Sequence, residues 1–187
     1  MTTYIAFLRG INVGGKNMIK MAVLKQMFET MGFQRVQTYI QSGNVLFQSN
    51  ELEGPLLERI EQEIETVFGF SVNVMLRIAA ELEQIIDNCP FSQETLAEAE
   101  ASSVGESLYV AMLVEAPVQD AVDRLSIYRS PNEQYCVEGR EVYLLFCNSI
   151  RNSKLANNLQ KLGAPSTVRN WKTINKLVGM AKSMDNE

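Results

Sequence analysis

Histidine is absent from this 187-residue chain, and that absence removes more chemistry than any residue present supplies. Without imidazole there is no histidine general base, no Ser-His or Cys-His nucleophile pair and no histidine-containing metal site. Cysteine is scarce as well. Cys89, Cys136 and Cys147 are odd in number and widely separated, which suits neither a disulfide framework nor a zinc site and fits a reducing, cytoplasmic compartment. A hairpin turn at Gly139 and Arg140 sets Cys136 opposite Tyr143, so Cys136 and Cys147 are not cross-strand partners. No apolar run approaches the roughly eighteen residues of a membrane helix. The first residues lack a basic leader and read as a strand, not a signal peptide. Any reaction is left to Asp, Glu, Lys, Tyr, Ser, Cys or a bound cofactor, and the sequence identifies neither a cofactor nor a catalytic residue.

What is present is an ordinary globular composition. Hydrophobic residues make up 46% of the chain, enough for one domain or two small ones without covalent staples. The net charge is −5, but it is unevenly spread. Residues 1–50 stand at +4, 51–106 at −11, 107–146 at −3 and 147–187 at +5. Basic ends flank an acidic middle. Such an imbalance reflects solvated helix faces, or else two basic ends that meet around an anion.

Periodicity gives the order of elements. Residues 4–8 form a short apolar run, as in a buried strand. Asn17 is placed to cap a helix whose stripe is Ile19, Val23, Leu24, Met27, Phe28 and Met31, stopped by Gly32. Val36, Thr38 and Ile40 alternate with polar residues. A turn at Ser42 and Gly43 then pairs Gln41 with Asn44, Ile40 with Val45 and Thr38 with Phe47. A second helix carries Leu56, Ile60, Ile64 and Val67, with Pro55 in its first turn and Gly69 at its end. Residues 70–76 make a fourth strand. This β-α-β-β-α-β order is ferredoxin-like.

Beyond it come a short helix (81–87), an acidic connector (92–106), a strand (108–114), a helix (120–128), a hairpin (135–137 with 142–146) and helices at 154–162 and 171–183. The expected class is therefore α+β. A ferredoxin-like subdomain occupies residues 1–78, a short helix and acidic connector residues 79–106, and a second, smaller α+β subdomain with C-terminal helices residues 107–187. The later order echoes the first half, but residue identity between the halves is weak.

Gly10, Gly14, Gly15, Lys16 and Asn17 have the spacing G-x-x-x-x-G-K-N. This resembles a Walker A loop but puts Asn17 where the magnesium-binding hydroxyl belongs, in a chain that next makes a hairpin and not a parallel crossover. Glycines there either turn a β-to-α connection or let backbone N–H groups and Lys16 converge on an anion. Topology sharpens the second option. In a ferredoxin-like sheet the first and second strands run parallel, so their exits share one end. The loop with Arg9, Asn12, Gly14, Gly15, Lys16 and Asn17 then lies beside the turn with Ser42, Gly43 and Asn44. Near the C-terminus, Arg169, Asn170 and Trp171 open the last helix. Asn170 is placed to cap it, and Arg169 and Lys172 offer further positive charge.

The segments Leu8-Arg-Gly-Ile-Asn-Val-Gly-Gly15, Tyr39-Ile-Gln-Ser-Gly-Asn-Val45 and Val168-Arg-Asn-Trp171 resemble the bacterial domain-of-unknown-function family 1697. A cysteine departs from its Asn-Pro-Phe stretch at residues 88–91. The resemblance implies a ferredoxin-like first part joined to a second α+β part in a cytosolic bacterial protein, and it implies no activity. The leading functional expectation is binding of a phosphate-bearing small ligand or nucleotide at Arg9, Asn12, Gly14, Gly15, Lys16, Asn17, Ser42, Gly43, Asn44, Arg169, Asn170 and Trp171. Nucleic acid ranks below it, because the chain is acidic and lacks the RNP aromatic pattern. The alternatives are a protein-interaction scaffold, with a homodimer its simplest form, and a small enzyme using Lys16, Ser42 and Arg9. No metal and no membrane partner is expected.

Overall fold

Residues 4–8 are apolar on both sides of the strand period, so a strand made of them must be covered on both faces. In the computed structural model, which describes Met1–Asn186, strand β1 (Thr2–Leu8) is central and buried over all but its first residue. It is followed by α1 (Met21–Thr30), β2 (Gln34–Tyr39), β3 (Asn44–Ser49), α2 (Glu53–Phe68), β4 (Val74–Ile78) and α3 (Ala79–Asp87). The sheet order is β2-β3-β1-β4 and every pairing is antiparallel, consistent with a ferredoxin-like start. Tyr4, Ala6, Leu8, Val45, Phe47 and Leu76 form one core with Leu24 and Phe28 of α1 and Leu56, Ile60 and Ile64 of α2. Ile5, Phe7, Leu46, Met75 and Arg77 alternate with that set and are also buried.

The second half contains α4 (Gln93–Ser102), β5 (Leu108–Leu113), α5 (Gln119–Ser126), β6 (Glu133–Glu138), β7 (Glu141–Phe146), the short α6 (Lys154–Asn157), β8 (Ser166–Asn170) and α7 (Trp171–Asn186). Its sheet is ordered β6-β7-β5-β8, again antiparallel. The α+β class holds. The chain clusters into two units, Met1–Gln84 with the residues from Asn175 on, and Ile85–Ile174. Among the described residues no helix is long and apolar enough to cross a membrane.

Several expectations need correction. Asn17 caps no helix: α1 starts at Met21, and Lys20 stands at its N-cap without a side-chain hydrogen bond. The first hairpin pairs Tyr39 with Asn44 and Thr38 with Val45, two residues from the expected register, because the turn spans residues 40–43 with Ile40 in the left-handed region. A slip of two keeps every side chain on its face, so Val45 and Phe47 still enter the core. The fourth strand begins at Val74, not residue 70. The acidic connector contains helix α4, capped by Ser92, whose side chain accepts from the Thr95 N–H. Residues 154–162 divide into α6 and a 3-10 turn over Leu159–Leu162. Arg169 and Asn170 end a strand, β8, that the sequence reading lacked.

With β8 in place, both halves run β-α-β-β-α-β-α, the helix between β7 and β8 being broken. Tyr4-Ile-Ala-Phe-Leu8 corresponds to Tyr109-Val-Ala-Met-Leu113. Tyr4 pairs with Phe47 as Tyr109 pairs with Leu144, and Ile5 faces Arg77 as Val110 faces Arg169. The Leu8 N–H donates to the Gly43 carbonyl at 2.9 Å, and the Leu113 N–H donates to the Arg140 carbonyl at 2.8 Å. The two units are the same design in sequence register.

Candidate functional site

Two glycines between Val13 and Lys16 predict a tight reversal, since only glycine accepts left-handed backbone freely. The loop of residues 9–20 is built on that reversal. Gly14 (φ 58°) and Gly15 (φ 73°) both have positive φ, the pattern of a type I′ hairpin turn. Val13 and Lys16 form an isolated antiparallel bridge, the Lys16 N–H donates to the Val13 carbonyl at 3.1 Å, and the Asn12 N–H donates to the Asn17 carbonyl at 3.2 Å. The loop is thus a miniature hairpin standing ahead of α1. Its Walker-like spacing does not produce a phosphate loop at a helix N-terminus, because residues 16–20 separate the glycines from the helix.

Asn12 ties this hairpin down. Its Nδ2 donates to the Ile19 carbonyl at 3.0 Å and the Gln41 carbonyl at 2.8 Å, and its Oδ1 accepts from the Ile19 N–H at 2.8 Å. The loop and the turn of residues 40–43 are therefore side by side, as the strand directions require. Asn44, fully buried, donates to the Tyr39 carbonyl and to Ser42 Oγ, both at 3.0 Å. Gly43 (φ 76°) presses against the loop's root: a Cβ there would lie 2.7 Å from Ile11 Cδ1 and 2.8 Å from Leu8 Cβ. Asn12, Gly43 and Asn44 are consequently committed to shaping the site.

The charged groups are free of such duties. Arg9, Lys16 and Lys20 are exposed, and among the described residues their side chains have no ion-pair or hydrogen-bond partner. The Arg9 backbone is fixed to β4's approach, its N–H donating to the Asn73 carbonyl at 2.9 Å. Lys20 escaped the sequence reading because a helix was expected to begin three residues earlier. The glycine pair flanked by Val13 and Lys16 was the available signal for the small hairpin.

Arg169, Asn170 and Trp171 belong to the second unit, whereas the nine other expected residues belong to the first. Asn170 does cap α7, its Oδ1 accepting from the Thr173 N–H at 2.9 Å. Arg169 is buried and donates to Thr167 Oγ1 at 2.8 Å and the Val168 carbonyl at 2.9 Å. Burial lowers its pKa to about 10, which leaves it protonated at neutral pH. Half-buried Trp171 packs against a cluster of Ala99, Leu108 and Leu145. Lys172 is held by Glu106 at 2.7 Å. The hydrogen bond it donates to that carboxylate raises its pKa.

A two-unit α+β chain with an elaborated loop at one sheet end is the class that fold and site define. The chain belongs to the family described as "Protein of unknown function (DUF1697)", whose model matches residues 1–143. That span includes the first two of the three motifs, and Val168–Trp171 lies beyond it. Among solved structures, the chain is similar to the conserved bacterial protein SP0830 from Streptococcus pneumoniae, with 27% identity and a TM-score of 0.72 over 96% of this chain and 98% of that one. No curated protein matches the chain.

Proposed function

We propose that the protein binds a phosphate-bearing small ligand or nucleotide at the end of the first sheet, between the loop of residues 9–20 and the turn of residues 40–43. One observation carries this reading. The second unit makes the same β-to-α connection, from Leu113 to Gln119, with residues 114–118 and no glycine. The first unit uses residues 9–20 for it. A plain connection therefore needs neither the length nor the glycines, and the excess is what presents the unpaired cations Arg9 and Lys16. In the proposed complex these two neutralise the anion, with Lys20 nearby. The N–H groups of Gly14 and Gly15, which have no backbone partner among the described residues, meet its oxygens. Ser42 Oγ accepts from Asn44 and places a hydroxyl in the turn beside the loop. Asn12, Asn17, Gly43 and Asn44 hold the frame, and Arg169, Asn170 and Trp171 enter as scaffold of the second unit. The three unbridged cysteines support a reducing, cytoplasmic setting.

Titration with ATP, pyrophosphate, sulfate and a short oligonucleotide, followed by melting temperature and calorimetry, tests this. Saturating binding stabilises the fold by RT ln(1 + [L]/Kd), about 2.7 kcal/mol at a hundredfold excess over Kd. Arg9→Ala with Lys16→Ala weakens binding by at least about tenfold, in line with loss of charge-assisted hydrogen bonds. Equal affinity in the double variant refutes the site. A response confined to the oligonucleotide transfers it to nucleic acid.

A further inference from the structure

A strand at the edge of a sheet turns every second residue's N–H and C=O outward, and proteins blunt such edges with bulges, charges or cover. Strand β2, at the edge of the first sheet, is blunted: its register shifts between Gln34 and Gln37, with Arg35 at φ 53°. Its counterpart β6, at the edge of the second sheet, is not. It pairs with β7 without a shift from Glu133 to Glu138, and residues 134–137 carry no formal charge. The alternation of the ladder says which of its groups are unmet. The Cys147 N–H donates to the Asn132 carbonyl at 2.9 Å, and the Phe146 N–H turns away to the Ser107 carbonyl at 2.9 Å. Gln134, Cys136 and Glu138 therefore bond to β7, and Tyr135 and Val137 point their N–H and C=O outward. No described backbone group meets them there.

We propose that β6 pairs with β6 of a second copy of this chain, antiparallel about a two-fold axis through Cys136. Residues opposite one another across an antiparallel pair share a face of the sheet, so such an axis passes through a residue, and Glu133 never faces the partner's Glu138. With the axis at Cys136, Tyr135 faces the partner's Val137 and each donates its N–H to the other's C=O, twice by symmetry. The facing side chains are an aromatic and a β-branched residue, a favoured cross-strand pair. An axis at Tyr135 would call on the Glu133 N–H, which already donates to the Ser130 carbonyl at 3.2 Å. An axis at Val137 would call on Gly139, a turn residue at φ 58°. Charge also suits a second copy. Arg129 stands over the Tyr135 ring at 5.5 Å and has no ion pair among the described residues. Exposed Glu115 and Asp120 flank Ala116, Pro117 and Gln119, which line a cleft beside Val137 and Gly139. Antiparallel pairing lays the basic end of each copy beside the acidic end of the other, and sets the Gln134 amide opposite the partner's Glu138. None of the residues assigned to the first unit takes part.

Sedimentation velocity of the full chain, over a dilution series from about 1 to about 100 μM, should show a monomer–dimer equilibrium. The outward Val137 N–H makes no bond within the sheet, so Val137→Pro should keep its circular dichroism and lose the dimer. Gln134→Glu, which sets like charges opposite each other, should weaken dimerisation several-fold, and Gln134→Lys should strengthen it several-fold. On the axis, Cys136 meets its own counterpart in a non-hydrogen-bonded pair with Cα atoms about 4.5 Å apart, a separation that a disulfide spans. Diamide, itself reduced to the hydrazine, should therefore oxidise the two Cys136 thiols to a disulfide, a link absent from Cys136→Ser. The Arg9→Ala/Lys16→Ala variant should dimerise as the unaltered chain does. A chain that stays monomeric throughout the series, a dimer that survives Val137→Pro, a dimer that diamide does not link through Cys136, or Gln134→Glu and Gln134→Lys acting in the same direction overturns the proposal.

Discussion

Replacing Gly43 by alanine tests how the candidate site is built, and Gly15→Ala provides its control. Both glycines have nearly the same φ, 76° and 73°, so both substitutions force an L-residue into the left-handed region at about 1–2 kcal/mol. They differ only in surroundings. A Cβ at residue 15 meets nothing within 4 Å, whereas one at residue 43 meets Ile11 Cδ1 at 2.7 Å, Leu8 Cβ at 2.8 Å and Ile11 Cγ1 at 3.0 Å. The Leu8 Cβ is one bond from the main chain of β1, whose N–H is hydrogen-bonded to Gly43 itself. It cannot withdraw without stretching that bond. Ile11 is 1% exposed, so its side chain has nowhere open to swing.

Overpacking of this kind costs about 1–3 kcal/mol. Gly43→Ala should therefore destabilise by about 2–5 kcal/mol and Gly15→Ala by about 1–2 kcal/mol. Urea unfolding followed by far-ultraviolet circular dichroism measures both, and hydrogen exchange of the Leu8 amide reports the local bond. Adding Ile11→Val to Gly43→Ala removes the Cδ1 clash but not the Leu8 one, so it should recover part of the loss. Costs equal within about 0.5 kcal/mol for the two glycine variants, the usual scatter of independent surface changes, would refute the close approach.

Two further outcomes follow from the same geometry. Asn12→Ala removes three hydrogen bonds between the loop, Ile19 and Gln41; it should cost about 1–2 kcal/mol and accelerate exchange of the Ile19 amide. Unchanged Ile19 protection would show that the loop is held by other means. Burial raises the pKa of Tyr4, Tyr109, Tyr135 and, most strongly, Tyr143 above the ordinary value of 10.0, with Glu138 and Glu141 adding to the shift at Tyr143. Burial likewise raises the Cys136 thiol above its ordinary 9.0; the folded chain keeps these protons after the unfolded chain has lost them, so stability is intact below about pH 9 and falls above it. Arg169, lowered to about 10, works in the opposite direction as a single group. A urea midpoint that is flat or rises from about pH 9 to 11 contradicts this balance.

The parts of the fold legible in the sequence are those with local punctuation. The second hairpin was readable to the residue: Cys136 faces Tyr143 and Glu138 faces Glu141, because Gly139 at positive φ fixes a two-residue turn. The first hairpin was readable only modulo two, since nothing about a β-branched residue announces that Ile40 will turn left-handed. Helix α4 has a single buried residue, Ala99, so no apolar stripe marked it; its signals were the Ser92 cap and a run of good helix formers. Strand β8 was obscured by Thr167 and Arg169, polar residues that the structure buries. That the loop and the turn share an end followed from strand directions alone. That Asn12 joins them did not, because a side-chain bond to a backbone carbonyl at Gln41, distant in sequence, has no local signature.

The repeated design supplies the comparison that a single unit lacks. Features present in both halves are what this sheet requires: Tyr-x-Ala-x-Leu on the central strand, an arginine on the fourth strand facing Ile5 or Val110, and a helix starting directly after that strand. By that test Arg169 corresponds to Arg77, which is likewise buried and donates to its neighbour's carbonyl, at Leu76. A buried arginine recurring at one register position is better explained by the sheet than by a ligand. The position matching Gly43 is Arg140, which has no positive φ, whereas Gly43 stands at φ 76° in a longer turn, so the first unit's turn favours glycine where the second unit's does not. Gly43 answers both that backbone and the close approach of Ile11, in the loop of residues 9–20, and of Leu8. The loop is thus the feature that the first unit adds to the shared frame, and Arg9 and Lys16, whose side chains have no partner among the described residues, are the groups on which the proposed binding rests.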